Sequence, residues 1–138
     1  MEKRFLSTMI LVLLTIGLFT TYAISADVPM MTKEQLKAML GNPDLVIFDA
    51  RPGPDYFSSD SKIKGSTRPM YVRDAIREHP KEKIFVIYFA SPNEEVSVTR
   101  VKDFLAGGHL GSEGYTKVYV LKGGWEEWLK AGYPTEKK

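Results

Sequence analysis

The sequence predicts an α/β domain, a parallel sheet with helices on both faces. Three observations carry that expectation. Leu45-Val46-Ile47-Phe48, Ile84-Phe85-Val86-Ile87-Tyr88 and Val118-Tyr119-Val120-Leu121 are continuous apolar runs without polar alternation, the pattern of strands covered on both faces. Between them lie segments whose apolar residues recur at helical spacing. The 138 residues, 43% hydrophobic and 26% charged, are ordinary globular material for one core, and they argue against disorder, a repeat or a second domain.

Each element has a local cause. Thr32-Lys33-Glu34-Gln35 is a capping-box sequence, and Leu36, Met39 and Leu40 give the helix it opens an apolar face. Gly41-Asn42-Pro43 ends that helix. Leu45 to Phe48 follows as a strand, and Asp49-Ala50-Arg51 leaves its carboxyl end. Pro52 to Pro69 is a connection rich in Pro, Ser and Gly, with Ile63 as its inward anchor and room for one very short strand near Ser66-Thr67. Tyr71 to Glu78 reads as a helix closed by His79-Pro80, because a residue before proline is driven out of helical geometry. Ile84 to Tyr88 is the next strand. Asn93 to Ala106 is a helix with Val98, Val101 and Leu105 on one face, and Gly107 to Gly114 is a flexible connection. Val118 to Leu121 is the last buried strand. Gly123-Gly124 breaks the chain before a helix from Trp125 to Lys130, with Gly132 as its C-cap.

Loops at the carboxyl ends of parallel strands are where α/β domains place their functional groups. Here that loop is Phe89-Ala90-Ser91-Pro92-Asn93-Glu94-Glu95. Phe89 has no titratable proton or lone pair, so it cannot serve as a nucleophile. Glu94 and Glu95 either act as acid/base groups or complement the positive end of the helix that follows. Asp49 and Arg51 either position a ligand or pair with each other, as charges at the ends of buried strands commonly do. His79 and His109 fall in separate loops, and no HExxH or CxxC spacing occurs, so no metal site is expected. No cofactor is expected either. Trp125 and Trp128, three apart on a helix, read as core.

Several of these segments, in this order, resemble the rhodanese family. Val46-Ile47-Phe48-Asp49-Ala50-Arg51 is similar to the family's apolar strand ending in Asp-x-Arg, and Asp55-Tyr56 to the acidic-aromatic pair after it. Lys62-Ile63-Lys64-Gly65-Ser66 stands where the family usually has His-Ile-x-Gly-Ala, with Lys62 replacing the histidine. The most specific match is Gly114-Tyr115-Thr116-Lys117-Val118-Tyr119-Val120-Leu121-Lys122-Gly123-Gly124-Trp125-Glu126-Glu127-Trp128, followed by Ala131-Gly132-Tyr133-Pro134. The resemblance implies a rhodanese-like three-layer fold over residues 27–138, with a parallel sheet of about five strands flanked by helices. It also implies that Phe89 occupies the position of the cysteine that carries sulfur as a persulfide. The chain has no cysteine anywhere, so persulfide transfer and the thiol-dependent phosphatase chemistry of related domains are both excluded.

The N-terminus reads as an export signal. Glu2-Lys3-Arg4 precedes 22 uncharged residues, Phe5 to Ala26, densest in apolar groups at Met9 to Leu14, and Ala23-Ile24-Ser25 satisfies the small-x-small rule. Residues 1–25 are therefore expected to be removed by a cut after Ser25, or one residue later after Ala26. The alternative is an uncleaved anchor, since 22 uncharged residues are long enough to span a bilayer. Both readings place the domain outside the cytoplasm, periplasmic or secreted, and membrane contact is expected only of the anchored form. A lipid-modified N-terminus is excluded with the cysteine. Cutting removes Glu2, Lys3 and Arg4 from 19 basic and 17 acidic side chains, leaving 17 and 16, a net of +1. Such a balance gives no basis for nucleic-acid binding.

Two function classes follow. One is a non-catalytic module that binds a protein or small ligand of the envelope, using the surface of Phe89, Ala90, Ser91, Asn93, Glu94, Glu95 and Arg51. The two glutamates favour a neutral or cationic partner. The other is an enzyme of envelope sulfur or redox metabolism that uses a non-thiol group of the same loop, with Ser91, Glu94 and Glu95 as candidates. A third outcome for Phe89 is a plugged site that merely continues the core.

Overall fold

The computed structural model describes residues 28–91, 93–107 and 110–138, with side chains for all of these but Glu94 and residues 104–107. The expected N-terminal signal, Pro92, His109 and the side chains of Glu94 and Leu105 fall outside that description.

Four strands form one parallel sheet: β1 (Met30–Met31), β2 (Leu45–Asp49), β4 (Ile84–Tyr88) and β5 (Val118–Leu121), in the spatial order β1-β5-β4-β2. The expected fifth strand is reduced to a single bridge beside β2. Thr67 donates its amide to Ile47 O at 2.9 Å and accepts from Asp49 N at 2.8 Å. Gly65, held at a φ of 79°, and Pro69, which has no N–H to give, stand on either side and stop the ladder there. The opposite edge is equally short, since β1 has two residues and Pro29 precedes it.

Pleating divides the core in two. Phe48, Phe85, Ile87, Phe89, Val118 and Val120 point to one face, while Ile47, Val86, Tyr88 and Leu121 point to the other. On the first face pack α3 (Val72–Arg77) through Ile76 and α4 (Glu94–Gly107) through Val101. The second is covered by α1 (Lys33–Met39) through Leu36 and by α5 (Gly124–Lys130) through Trp125 and Trp128. The three expected layers are present.

The local signals account for most boundaries. The capping box at the start of α1 is complete: Gln35 N donates to Thr32 Oγ1 at 3.2 Å, and Thr32 N donates to Gln35 Oε1 at 2.9 Å. The final helix ends at Lys130 as expected, but its cap is Ala131 and not Gly132. Gly132 is the residue beyond, in the left-handed conformation at φ 68° that such a stop requires. Two features are new. The connection after β2 contains a short helix, α2 (Gly53–Phe57), started by Pro54 in its first turn. A second sheet pairs β3 (Ser61–Ile63) with β6 (Thr135–Lys137), antiparallel, with Lys62 opposite Glu136. Lys62 Nζ lies 3.3 Å from Glu136 Oε1 and donates to Ser66 O at 2.6 Å. The lysine in the histidine's place thus fastens the C-terminus to the connection.

Candidate functional site

The loop leaves β4 at its carboxyl end, and its backbone is held from two sides. Ala50 N donates to Tyr88 O at 2.9 Å, Trp125 N to Phe89 O at 2.8 Å, and Glu126 N to Ala90 O at 3.1 Å. The first amides of α5, which no intrahelical carbonyl can satisfy, are thus satisfied by the loop. Gly124 permits this approach. A Cβ built there would lie 2.6 Å from Phe89 O and 3.0 Å from Ser91 O, and its φ of 59° is the left-handed region.

Phe89 continues the alternation of Phe85 and Ile87 and is buried in the core beneath α4. The Arg100 guanidinium carbon lies 6.0 Å from its ring centroid. Asn93, expected to contact a ligand, is the N-cap of α4. Its Oδ1 accepts from Val96 N at 3.3 Å, and its backbone oxygen accepts from Ser97 N at 3.3 Å and Ser97 Oγ at 3.1 Å. Ser91 Oγ accepts from Asn93 N at 3.4 Å. Glu95 is exposed in the first turn of α4. A cavity of about 310 Å³ opens over Phe89, Ala90, Ser91 and Asn93, and its only charged lining groups among the described residues are Asp55 and Arg100.

Arg51 is not part of that cavity's lining. Its side chain is fully buried, and the reading of a mutual pair with Asp49 is the one realised. Nε donates to Asp49 Oδ1 at 2.9 Å and Nη2 to Asp49 Oδ2 at 2.6 Å, a bidentate arrangement, while Nη2 also donates to Ser61 O at 3.0 Å. Register explains the next partner: Asp49 is paired with Tyr88 across β2 and β4, so the two side chains leave the same face. Tyr88 Oη donates to Asp49 Oδ2 at 2.7 Å and lies 3.2 Å from Ser66 Oγ. Burial works against the Arg51 charge, but the hydrogen bonds and charge of Asp49 outweigh it and raise its pKa. Burial pushes the Tyr88 phenol far above its usual 10.0, and the Asp49 charge adds to that. Nη1 of Arg51 is buried without a hydrogen-bond acceptor, and the guanidinium carbon lies 4.4 Å from the Trp125 ring centroid. The face of the indole offers that charge partial compensation.

Of the predicted site residues, the structure brings Phe89, Ala90, Ser91 and Asn93 around one cavity and sets Arg51 apart. Two residues of that cavity, Asp55 and Arg100, did not stand out as site residues. Arg100 was legible in one respect: Asn93, Val96, Arg100 and Asp103 recur at spacings of three, four and three, one face of a helix starting at the loop. Among the described residues, the one carboxylate that shares this cavity with Ser91 is the exposed Asp55. The described histidine, His79, packs against Phe48 and Phe85 near the amino end of β4.

A parallel sheet covered on both faces, with a loop at its carboxyl edge seated on the N-terminus of the last helix, defines an α/β domain of rhodanese-like architecture, here with the benzyl group of Phe89 at the start of that loop. The family model described as rhodanese-like domain matches residues 32–131, and the chain belongs to that family. The rhodanese-like domain of the Alr3790 protein from Anabaena is 27% identical, with a TM-score of 0.57 and coverage of 80% of each chain. A Rhodopseudomonas palustris protein of unknown function, described as a possible tyrosine phosphatase, is 26% identical at a TM-score of 0.53, covering 79% of this chain and 85% of that one. The BH2092 protein of Bacillus halodurans shares the fold at 21% identity and a TM-score of 0.61, covering 79% and 77%. No curated protein matches the sequence closely enough to count as a relative.

Proposed function

We propose that this protein is an exported, non-catalytic rhodanese-like domain that binds another protein of the envelope through the surface around residues 89–96. The observation that carries the reading is the burial of Phe89 as a core residue under a cavity of about 310 Å³ whose described lining holds no thiol and no histidine, with the exposed Asp55 as its one carboxylate. Val96 on the wall of this cavity is 48% exposed, and Leu129, in an adjoining cleft that shares Asp55, Ala90 and Ser91 with it, is 53% exposed. Exposed apolar groups of this size beside a concave surface are what a partner covers. Asp55, Glu95 and Glu126 outnumber Arg100 and Lys130 around this surface, a small acidic excess that favours a neutral or basic partner. The enzyme alternative gains no support from Ser91, whose Oγ faces the amide of Asn93.

The test is retention of partners from an envelope fraction at low salt. Asp55→Asn combined with Glu95→Gln should abolish retention while thermal melting stays unchanged, because both side chains are exposed. Identical partner lists for wild type and variant would reject the loop surface as the binding site.

Export rests on the basic start, the apolar middle and the small-residue boundary, in that order. N-terminal sequencing of the purified native protein should begin at Ala26 or Asp27. Full-length protein in the soluble cytoplasm would overturn export, and Met1 retained in the membrane fraction would establish the anchor.

A further inference from the structure

On the far side of Phe89 lies a second cavity, of about 400 Å³, between the segment Arg68–Arg73 and α4. Phe89 and Arg100 line both cavities and so form the wall between them. We infer that this second cavity is a binding site for a small amphiphilic anion, a carboxylate or sulfonate carrying an apolar group.

Charge is the first argument. Of the ionic groups that line the cavity, Asp49 and Arg51 neutralise each other in their bidentate pair, which leaves Arg68, Arg73 and Arg100 facing Asp103 alone. Two of these arginines, Arg73 and Arg100, are largely unengaged, while Arg68 is held on one side by its contact with the Tyr56 ring at 4.1 Å. Arg100 makes no ion pair or hydrogen bond among the described residues, only its contact with the Phe89 ring. Arg73 reaches only its chain neighbour Asp74, at 3.4 Å. Arg68 donates Nη1 to Arg51 O at 2.7 Å and lies 3.9 Å from Asp49 Oδ1. Converging guanidinium groups of like charge repel, and an oxyanion that accepts from two of them in fork geometry relieves that repulsion.

The second argument is apolar. Met70 and Tyr71 on the rim are 87% and 66% exposed, and Phe89 supplies an aromatic base. A bare inorganic anion would satisfy the arginines but leave these side chains in water, whereas a ligand with an apolar part covers them. A volume of about 400 Å³ is of the size that encloses a small organic molecule. This inference goes beyond the protein-binding role and does not depend on it, because the loop carboxylates lie outside this cavity's lining.

The experiment is fluorescence titration of the purified protein with anilinonaphthalene sulfonate, an aromatic sulfonate. Saturable binding is expected, displaced by decanoate and not by decylamine. Arg73→Gln combined with Arg100→Gln should weaken it by about tenfold or more, while Arg73→Lys with Arg100→Lys retains most of it. Asp55→Asn with Glu95→Gln, which disables the proposed protein-binding surface, should leave the titration unchanged. Absence of saturable binding, displacement by decylamine as effective as by decanoate, or equal affinity in the glutamine variant at an unchanged melting temperature would each overturn the inference.

Discussion

Asp49→Ala is expected to destabilise the domain by about 3–5 kcal/mol, the cost of stranding a buried charge. The substitution leaves the Arg51 guanidinium, 1% exposed, without the acceptor of its Nε and with Ser61 O as the sole acceptor of Nη2. It also removes the acceptor of the Tyr88 hydroxyl. A domain of this size has roughly 5–15 kcal/mol in total, so the variant should sit near the edge of folding. Urea denaturation measures the loss. Removing both charges, as in Asp49→Leu with Arg51→Met, should cost less than the single change, because the penalty comes from the unpaired partner. A single variant as stable as wild type, or a double variant worse than the single, would contradict the structural role assigned to the pair.

Gly124→Ala should cost roughly 2–5 kcal/mol, combining left-handed strain with overpacking. The added methyl meets two loop carbonyls, Phe89 O at 2.6 Å and Ser91 O at 3.0 Å, and backbone cannot swing aside as a side chain does. Gly123 provides the internal comparison. Its φ of 81° is equally left-handed, but a Cβ there meets Glu127 side-chain carbons at 2.7 Å, which can rotate away. Thermal melting should therefore rank Gly124→Ala well below Gly123→Ala. Equal losses would mean that backbone strain alone accounts for the pair of glycines and that the contact with the loop is unimportant.

How much was legible follows from which interactions are local. The apolar runs at 45–48, 84–88 and 118–121 are strands because a parallel sheet buries both faces, and nothing distant is needed to recognise them. The box at Thr32 and Gln35 is likewise local. The antiparallel pair β3 and β6 was invisible because Thr135-Glu136-Lys137 is polar and is made a strand only by its partner some seventy residues earlier, through Lys62 and Gly65. The site divides in the same manner. Phe89 could be placed by its position after β4, and its burial follows from the pleat. Arg68 and Arg73 belong to one segment and Arg100 to another, and only the tertiary arrangement brings them to one cavity. The charge balance around Phe89 differs on its two sides for that reason, with an excess of arginines on one and Asp55 set against Arg100 on the other. The capping role of Asn93 could not be told from recognition in the sequence, because a polar residue before a helix serves capping and ligand contact by the same atoms.

The two rims of the main sheet bear on how these molecules meet one another. A sheet border of unpaired amides and carbonyls is a template on which a further chain can polymerise, and parallel sheets left open are prone to it. Here one border is two residues long with Pro29 before it, and the other is occupied by Thr67 and closed by Pro69. Neither offers a foreign strand more than a bond or two. The chain can therefore carry exposed apolar side chains around its cavities at high local concentration without an accompanying route to fibrous self-association through the sheet.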